Sequence, residues 1–228
     1  MPASNGESLS QQAVCPSCDA RQAVEPVNVI TPASPELQAL FKGDLNRIVC
    51  DECGTEFRLP TPVLYRYDED RQLIYYVPLE KREGWYEAEQ EMEKITRSIF
   101  QADDNAAVPG CRLTLTRRGF IEKIALLLAG RDDRIIEYIK YQLFQRPDSE
   151  IDPVRTELLY DFSNQDPNKL AFILFDRETG QPNAATHVPA ELYDELVETF
   201  LDDEEMQEEL DALFSGYFVN VEKLLGLC

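Results

Sequence analysis

Two short cysteine pairs constrain this chain more than any other feature. They are Cys15-Pro16-Ser17-Cys18 and Cys50-Asp51-Glu52-Cys53, with 31 residues between them. Four soft thiolates in two tight C-x-x-C pairs suit a tetrahedral ion, and Zn2+ is the one expected. Each pair makes a short turn whose backbone N–H groups can point at the sulfurs. Gly54 follows the second pair and, lacking a Cβ, can take the positive φ that closes such a turn. Asp19 holds the same place after the first pair, and Asp tolerates that conformation better than most residues. Cys15, Cys18, Cys50 and Cys53 are therefore the candidate metal ligands, read as the two knuckles of a zinc ribbon. Four thiolates leave no open position for a reacting water, so the expected role of the ion is structural. Arg21, Arg47 and Arg58 are candidates to offset the negative charge of such a centre.

A redox dithiol accounts for one pair but not two, and it wants a strand before it and a long helix after it. Arg21 to Thr31 is instead β-branched and broken by proline. A pair of disulfides needs an oxidising compartment. The only histidine, His187, is more than 130 residues away; a nucleophile pair with Cys111 or Cys228 is the lesser reading. Cys111 is expected to pack as a small apolar side chain and Cys228 to be exposed. The chain carries no Gly-rich phosphate loop, no H-E-x-x-H and no G-x-S-x-G.

Charge is unevenly placed. The net −21 divides into −5 over residues 1–147 and −16 over residues 148–228. An acidic second half repels phosphate and disfavours nucleic acid there. In the first half only a contiguous stripe of Arg47, Arg58, Arg112, Arg117 and Arg118 would favour it. Residues 1–12 are polar and are expected to be a disordered tail, without the basic start and apolar run of a signal peptide. No stretch approaches the ~20 apolar residues of a membrane span. A reducing, cytoplasmic setting is the expectation.

Periodicity and punctuation place the elements. Val27 to Ile30 reads as a strand, Pro35 to Lys42 as a helix stopped by Gly43, and Leu45 to Val49 and Glu56 to Leu59 as strands around the second knuckle. Val63 to Tyr67 and Leu73 to Val77 flank a polar turn as a hairpin whose tyrosines are half-buried packing groups. Trp85 to Phe100 takes helical spacing, Arg112 to Thr116 alternates as a strand, and Arg117 to Ala129 is an apolar helix stopped by Gly130. Asp132 or Asp133 caps the next helix, with Ile135, Ile136, Ile139 and Leu143 inward and Pro147 at its end. Beyond it come strands at Glu157–Ser163, Lys169–Asp176 and Ala184–Val188. Pro189 then starts a helix to Leu201, and two amphipathic helices follow, around Met206–Phe214 and Phe218–Leu225.

The Cys-Pro-Ser-Cys pair, and Cys-Asp-Glu-Cys-Gly followed by Pro62-Val63-Leu64-Tyr65, resemble the CpXC domain family. So do Gly119-Phe120-Ile121-Glu122-Lys123-Ile124 and Asp132-Asp133-Arg134-Ile135-Ile136-Glu137. The resemblance covers about residues 13 to 146; Asp51 stands where the second motif has proline, which changes the stiffness of the turn and no ligand. It implies a zinc-ribbon-containing domain of bacterial or archaeal proteins and brings no catalytic residues. The expected architecture is α+β: a tail (1–12), a zinc-ribbon-bearing mixed domain (13–147), and a small acidic α+β domain (148–228) packed against it. The expected function is a structural-zinc interaction or scaffold module with a protein partner. The alternatives are an enzyme with a pocket between the domains and a nucleic-acid-binding ribbon. Asp132-Asp133 and Asp202-Asp203 read as caps and solvated faces, with the first pair inside a family-like segment.

Overall fold

The computed structural model describes residues 10–79, 84–100, 109–147 and 151–227. The first Cys pair joins β1 (Gln11–Val14) to β2 (Arg21–Val24) in an antiparallel hairpin. After β3 (Val29–Ile30) and α1 (Pro35–Lys42), the second pair joins β4 (Arg47–Val49) to β5 (Glu56–Arg58) in another. α1 starts on a proline and ends at Gly43, whose φ of 84° turns its N–H back onto the Ala39 and Leu40 carbonyls. β1 begins at Gln11, so the last two residues of the expected tail are paired strand; residues 1–9 lie outside the described residues.

β6 (Val63–Tyr67) and β7 (Gln72–Tyr76) form the expected hairpin at the centre of a four-stranded sheet of order β3-β6-β7-β8. β3 joins β6, and β8 (Gly110–Thr114) joins β7, both in parallel. β8 starts two residues earlier than the alternation predicts, because Gly110 pairs with Gln72. The tyrosines of the hairpin are packing groups: Tyr65 is fully buried, and half-buried Tyr67, Tyr75 and Tyr76 pack against cores on the two faces. α2 (Trp85–Phe100) sets Met92 against Leu113 and Phe218.

α3 (Arg117–Leu128) lies between two cores. Phe120 and Ile124 pack with Val63, Tyr65 and Ile74 of the first sheet, while Leu126 belongs to a larger core on the other side. That larger core includes Ile135, Ile136, Ile139 and Leu143 of α4 (Asp133–Gln145). It also includes Leu158, Phe172 and Val188 from an antiparallel sheet of β9 (Thr156–Tyr160), β10 (Lys169–Asp176) and β11 (Pro182–Pro189). Two further helices, α5 (Glu191–Leu201) and α6 (Glu204–Leu213), close the core with Leu196, Phe200 and Leu210, and α7 (Val221–Leu225) adds Val221.

The protein is therefore α+β as expected, and one core draws residues from both sides of position 147. α3 and α4, placed in the first domain, supply one wall of the core of the second. The helix start expected at Pro189 is also displaced: Pro189 pairs with Lys169 as the last residue of β11, and α5 begins at Glu191. A proline at a strand end costs the ladder no donor it needs.

Candidate metal centre

The two knuckles are copies of one another in their backbone. The N–H of Cys15 donates to the Ala20 carbonyl and that of Cys50 to the Thr55 carbonyl, both at 2.9 Å. The N–H of Asp19 returns to the Cys15 carbonyl (3.0 Å) and that of Gly54 to the Cys50 carbonyl (2.9 Å). Those turns require a left-handed residue in fourth position after the first cysteine, and Asp19 (φ 58°) and Gly54 (φ 71°) both adopt it. The Ser17 N–H points at Cys15 Sγ from 3.4 Å. Gln22 clips the hairpins together: its amide donates to the Val49 carbonyl and accepts from the Asp51 N–H, both at 3.1 Å.

This arrangement brings together the four sulfurs singled out by spacing. All lie within 4.8 Å of one another, with Cys15 and Cys50 buried and Cys18 and Cys53 exposed. The close cross-hairpin contacts, Cys15–Cys53 and Cys18–Cys50, are both 3.6 Å. A disulfide has its sulfurs at about 2.05 Å, so all four are free thiols. As thiols the four crowd one another and hold their protons unequally. Hydrogen bonding to Thr55, through its side chain and its backbone, draws Cys53 down to about 6. The Ala20 backbone favours the Cys18 thiolate, but Cys53, burial and the other two thiols outweigh it and push Cys18 up to about 12. Such a cluster can hold a metal ion, which would replace shared protons with one central charge.

Of the arginines expected beside it, Arg47 pairs with Asp44 and Glu56, and Arg58 donates to the Gly43 carbonyl. Neither arginine is used on sulfur. The wider arginine stripe is dispersed in the same way: Arg112 forks onto Asp133 and Arg118 onto Glu157. His187 is exposed on β11, whereas Cys111 is buried beside Thr96; Cys228 lies outside the described residues. Asp203 caps α6 through the N–H groups of Glu205 and Met206, as the bland reading of that acidic pair expects.

A second cluster escaped sequence reasoning. Glu122 and Lys123 of α3 meet Glu137 and Lys140 of α4, all at most 4% exposed. Lys140 Nζ bonds Glu122 (2.8 Å) and Glu137 (3.0 Å), and Lys123 Nζ bonds Glu137 and Asp133 (both 2.9 Å). Residues outside the family-like segment complete it: Glu122 accepts from the Tyr160 N–H, and Glu137 from the Val221 N–H at 3.0 Å. Asp132 is the N-cap of α4, but Asp133 is more than a cap, since it carries Lys123 and Arg112 in this network. Burial, opposed by Lys140, raises the Glu122 carboxyl above its ordinary range. Perturbed acids thus converge as an inter-domain enzyme pocket would require. The cavity among them measures only about 30 Å³, room for one or two waters and not for a substrate. The signal in the sequence was the Glu122-Lys123 and Glu137/Lys140 spacing on helices otherwise apolar, which is indistinguishable from a solvated face until β9 covers it.

No helix among the described residues is long and apolar enough to cross a membrane. Comparison with curated proteins and with solved structures gave no match. Residues 13–140, more than half of the chain and including all four cysteines of the cluster, match the family described as CpXC protein. The twin knuckles, the sheet behind them and the α3–α4 pair thus carry a family likeness, and the chain belongs to the CpXC family.

Proposed function

We propose that Cys15, Cys18, Cys50 and Cys53 hold one structural Zn2+, forming a zinc ribbon, and that the protein is an interaction module built on it. The observation that carries this reading is the sulfur geometry. A regular tetrahedron with Zn–S bonds of about 2.3 Å has edges of about 3.8 Å. The Cys15–Cys53 and Cys18–Cys50 sulfur distances are both 3.6 Å, and all four sulfurs lie within 4.8 Å of one another. An ion of that size is accommodated with shifts of a few tenths of an ångström for the close pairs. Four thiolates favour Zn2+ over harder divalent ions, and a reducing compartment such as the cytoplasm keeps them available.

The interaction role is supported by the exposed acidic face of α6, where Glu204, Glu205, Glu208 and Glu209 all face solvent. A basic protein partner is the complement of such a face. Elemental analysis and zinc-edge X-ray absorption of the purified protein test the metal. One zinc per chain with four sulfur neighbours is expected. Metal-free folded protein, or a shell containing oxygen or nitrogen, refutes the assignment.

A further inference from the structure

Two of the arginines singled out for a basic stripe meet at a place the metal centre does not use. Arg58, at the end of β5, and Arg117, the first residue of α3, line a cavity of about 160 Å³ with Asn46, Thr61 and Tyr76. The cavity lies where the second hairpin meets the four-stranded sheet. Among the described residues that line it there is no Asp or Glu, in a chain of net charge −21. Burial and then the like charge of Arg58 make the Arg117 guanidinium less basic than usual. Asp44, whose carboxylate also acts on Arg117, is held by Arg47.

Donors are left over as well. Arg117 Nη1 donates to the Leu45 carbonyl at 3.0 Å, but its buried Nη2 has no hydrogen-bond partner among the described residues. Thr61, only 5% exposed, has its hydroxyl equally unpartnered. An orphaned buried donor costs roughly 1–3 kcal/mol, and two of them on residues that line one cavity point to a common acceptor. α3 adds to the demand. Arg117 stands at its N-terminal end, where the helix dipole is itself positive, and Glu157 answers its neighbours Thr116 and Arg118 rather than Arg117. Two guanidinium charges, a positive helix end and two free donors, with no carboxylate lining the cavity, match a doubly charged tetrahedral oxyanion better than a monocarboxylate.

We propose that the Arg58–Arg117 cavity binds a phosphate group, as inorganic phosphate or as a small phosphomonoester. The group accepts from Arg117 Nη2, Thr61 Oγ1 and Arg58, and ties the second hairpin to α3. The site takes Arg58 from the hairpin that the second cysteine pair closes, so it is tested with the metal loaded.

The test is calorimetric and thermal titration of the metal-loaded full chain with inorganic phosphate, glycerol 3-phosphate and acetate at constant ionic strength. Phosphate should bind and raise Tm, and acetate should do neither. Glycerol 3-phosphate binding as tightly as phosphate would identify a monoester site, and its exclusion a site for the free ion. Arg58→Gln should weaken phosphate binding about tenfold or more. Thr61→Val guards against a folding artefact, since that hydroxyl makes no protein hydrogen bond. It should leave the ligand-free Tm equal or higher while reducing the phosphate-induced rise. A general salt effect would persist in both variants. No response to phosphate up to about 10 mM, or the same response in wild type, Arg58→Gln and Thr61→Val, overturns the proposal.

Discussion

Replacing Lys140 by Met should be among the most damaging single changes in this protein, although the side chain touches no cysteine. Lys140 is 1% exposed, and its ammonium bonds Glu122 and Glu137 at 2.8 and 3.0 Å. Met fills a similar volume, so little packing is lost, and the cost comes from charge. Glu122 and Glu137 stay buried; Glu137 keeps Lys123, while Glu122 loses the ammonium it was paired with. Removing one partner of a buried ion pair costs about 3–5 kcal/mol, because the other charge is stranded. For a chain of this size each kcal/mol moves Tm by about 2–4 °C, so a fall of roughly 6–20 °C is expected. Glu122→Gln alone should cost less, since Lys140 keeps Glu137 and the Gln carbonyl can still accept from the Tyr160 N–H. The double variant Lys140→Met/Glu122→Gln removes one charge of each sign, and its stability should exceed that of Lys140→Met. Urea titration of all four proteins, followed by far-ultraviolet circular dichroism in zinc-containing buffer, closes the cycle. A Lys140→Met cost below about 1 kcal/mol, or additive losses in the double variant, would refute the view that stranded charge is the cause.

Chelation of metal, or Cys50→Ala, should abolish hydrogen-exchange protection in β1, β2, β4 and β5 while leaving the amides of α4 protected. The hairpins depend on the sulfur cluster and α4 on its own core. Uniform loss of protection in α4 would count against this division. Lys replacement of Glu204, Glu205, Glu208 and Glu209 together should abolish capture of a basic partner in low salt, with zinc content and Tm unchanged. Capture that survives both the reversal and high salt removes α6 as the docking face. Burial opposes ionisation of Asp133, but Lys123 and Arg112 together hold its carboxyl well below its ordinary value of 3.8. A depressed folded value means its contribution is complete above about pH 4 and is lost as pH falls further. The stability gap between wild type and Asp133→Asn, measured by denaturant titration, should therefore be widest near neutrality and narrow below pH 3.8. A gap that is constant or widens in acid contradicts this.

The cysteine cluster was legible because its information is local. Two knuckles each need two cysteines, a turn and one left-handed residue, and Asp19 and Gly54 stand in the same register after their pairs. Helix ends were legible for the same reason: Pro35 and Gly43 bracket α1, and Asp132 caps α4. Sheet order was not, because no local signal tells β3 to join β6, or β8 to join β7, in parallel across long connections. The double duty of α3, whose Phe120 and Leu126 serve different cores, was not legible either. An apolar helix reads the same whether it is buried once or twice. The arginines illustrate the converse. Five of them suggested a surface stripe, and the fold gives Arg47, Arg112 and Arg118 to carboxylates while turning Arg58 and Arg117 toward one cavity.

The hydrogen bond from the Val221 N–H to Glu137 spans 84 residues of sequence. On a ribosome adding roughly 5–20 residues per second, the donor is made some 4–17 seconds after the acceptor. Both cysteine hairpins, complete by residue 58, can close on one another during that interval. Glu137 and its neighbours must wait, hydrated and open, for β9 and then for the turn before α7 to arrive. Birth of this protein is thus a two-stage event: the cysteine hairpins can close early, whereas the charged seam between α3 and α4 seals only when the later sequence folds back over it. A nascent chain stalled between the two stages would present that seam to whatever else is in solution, the interval in which a chaperone would have something to hold.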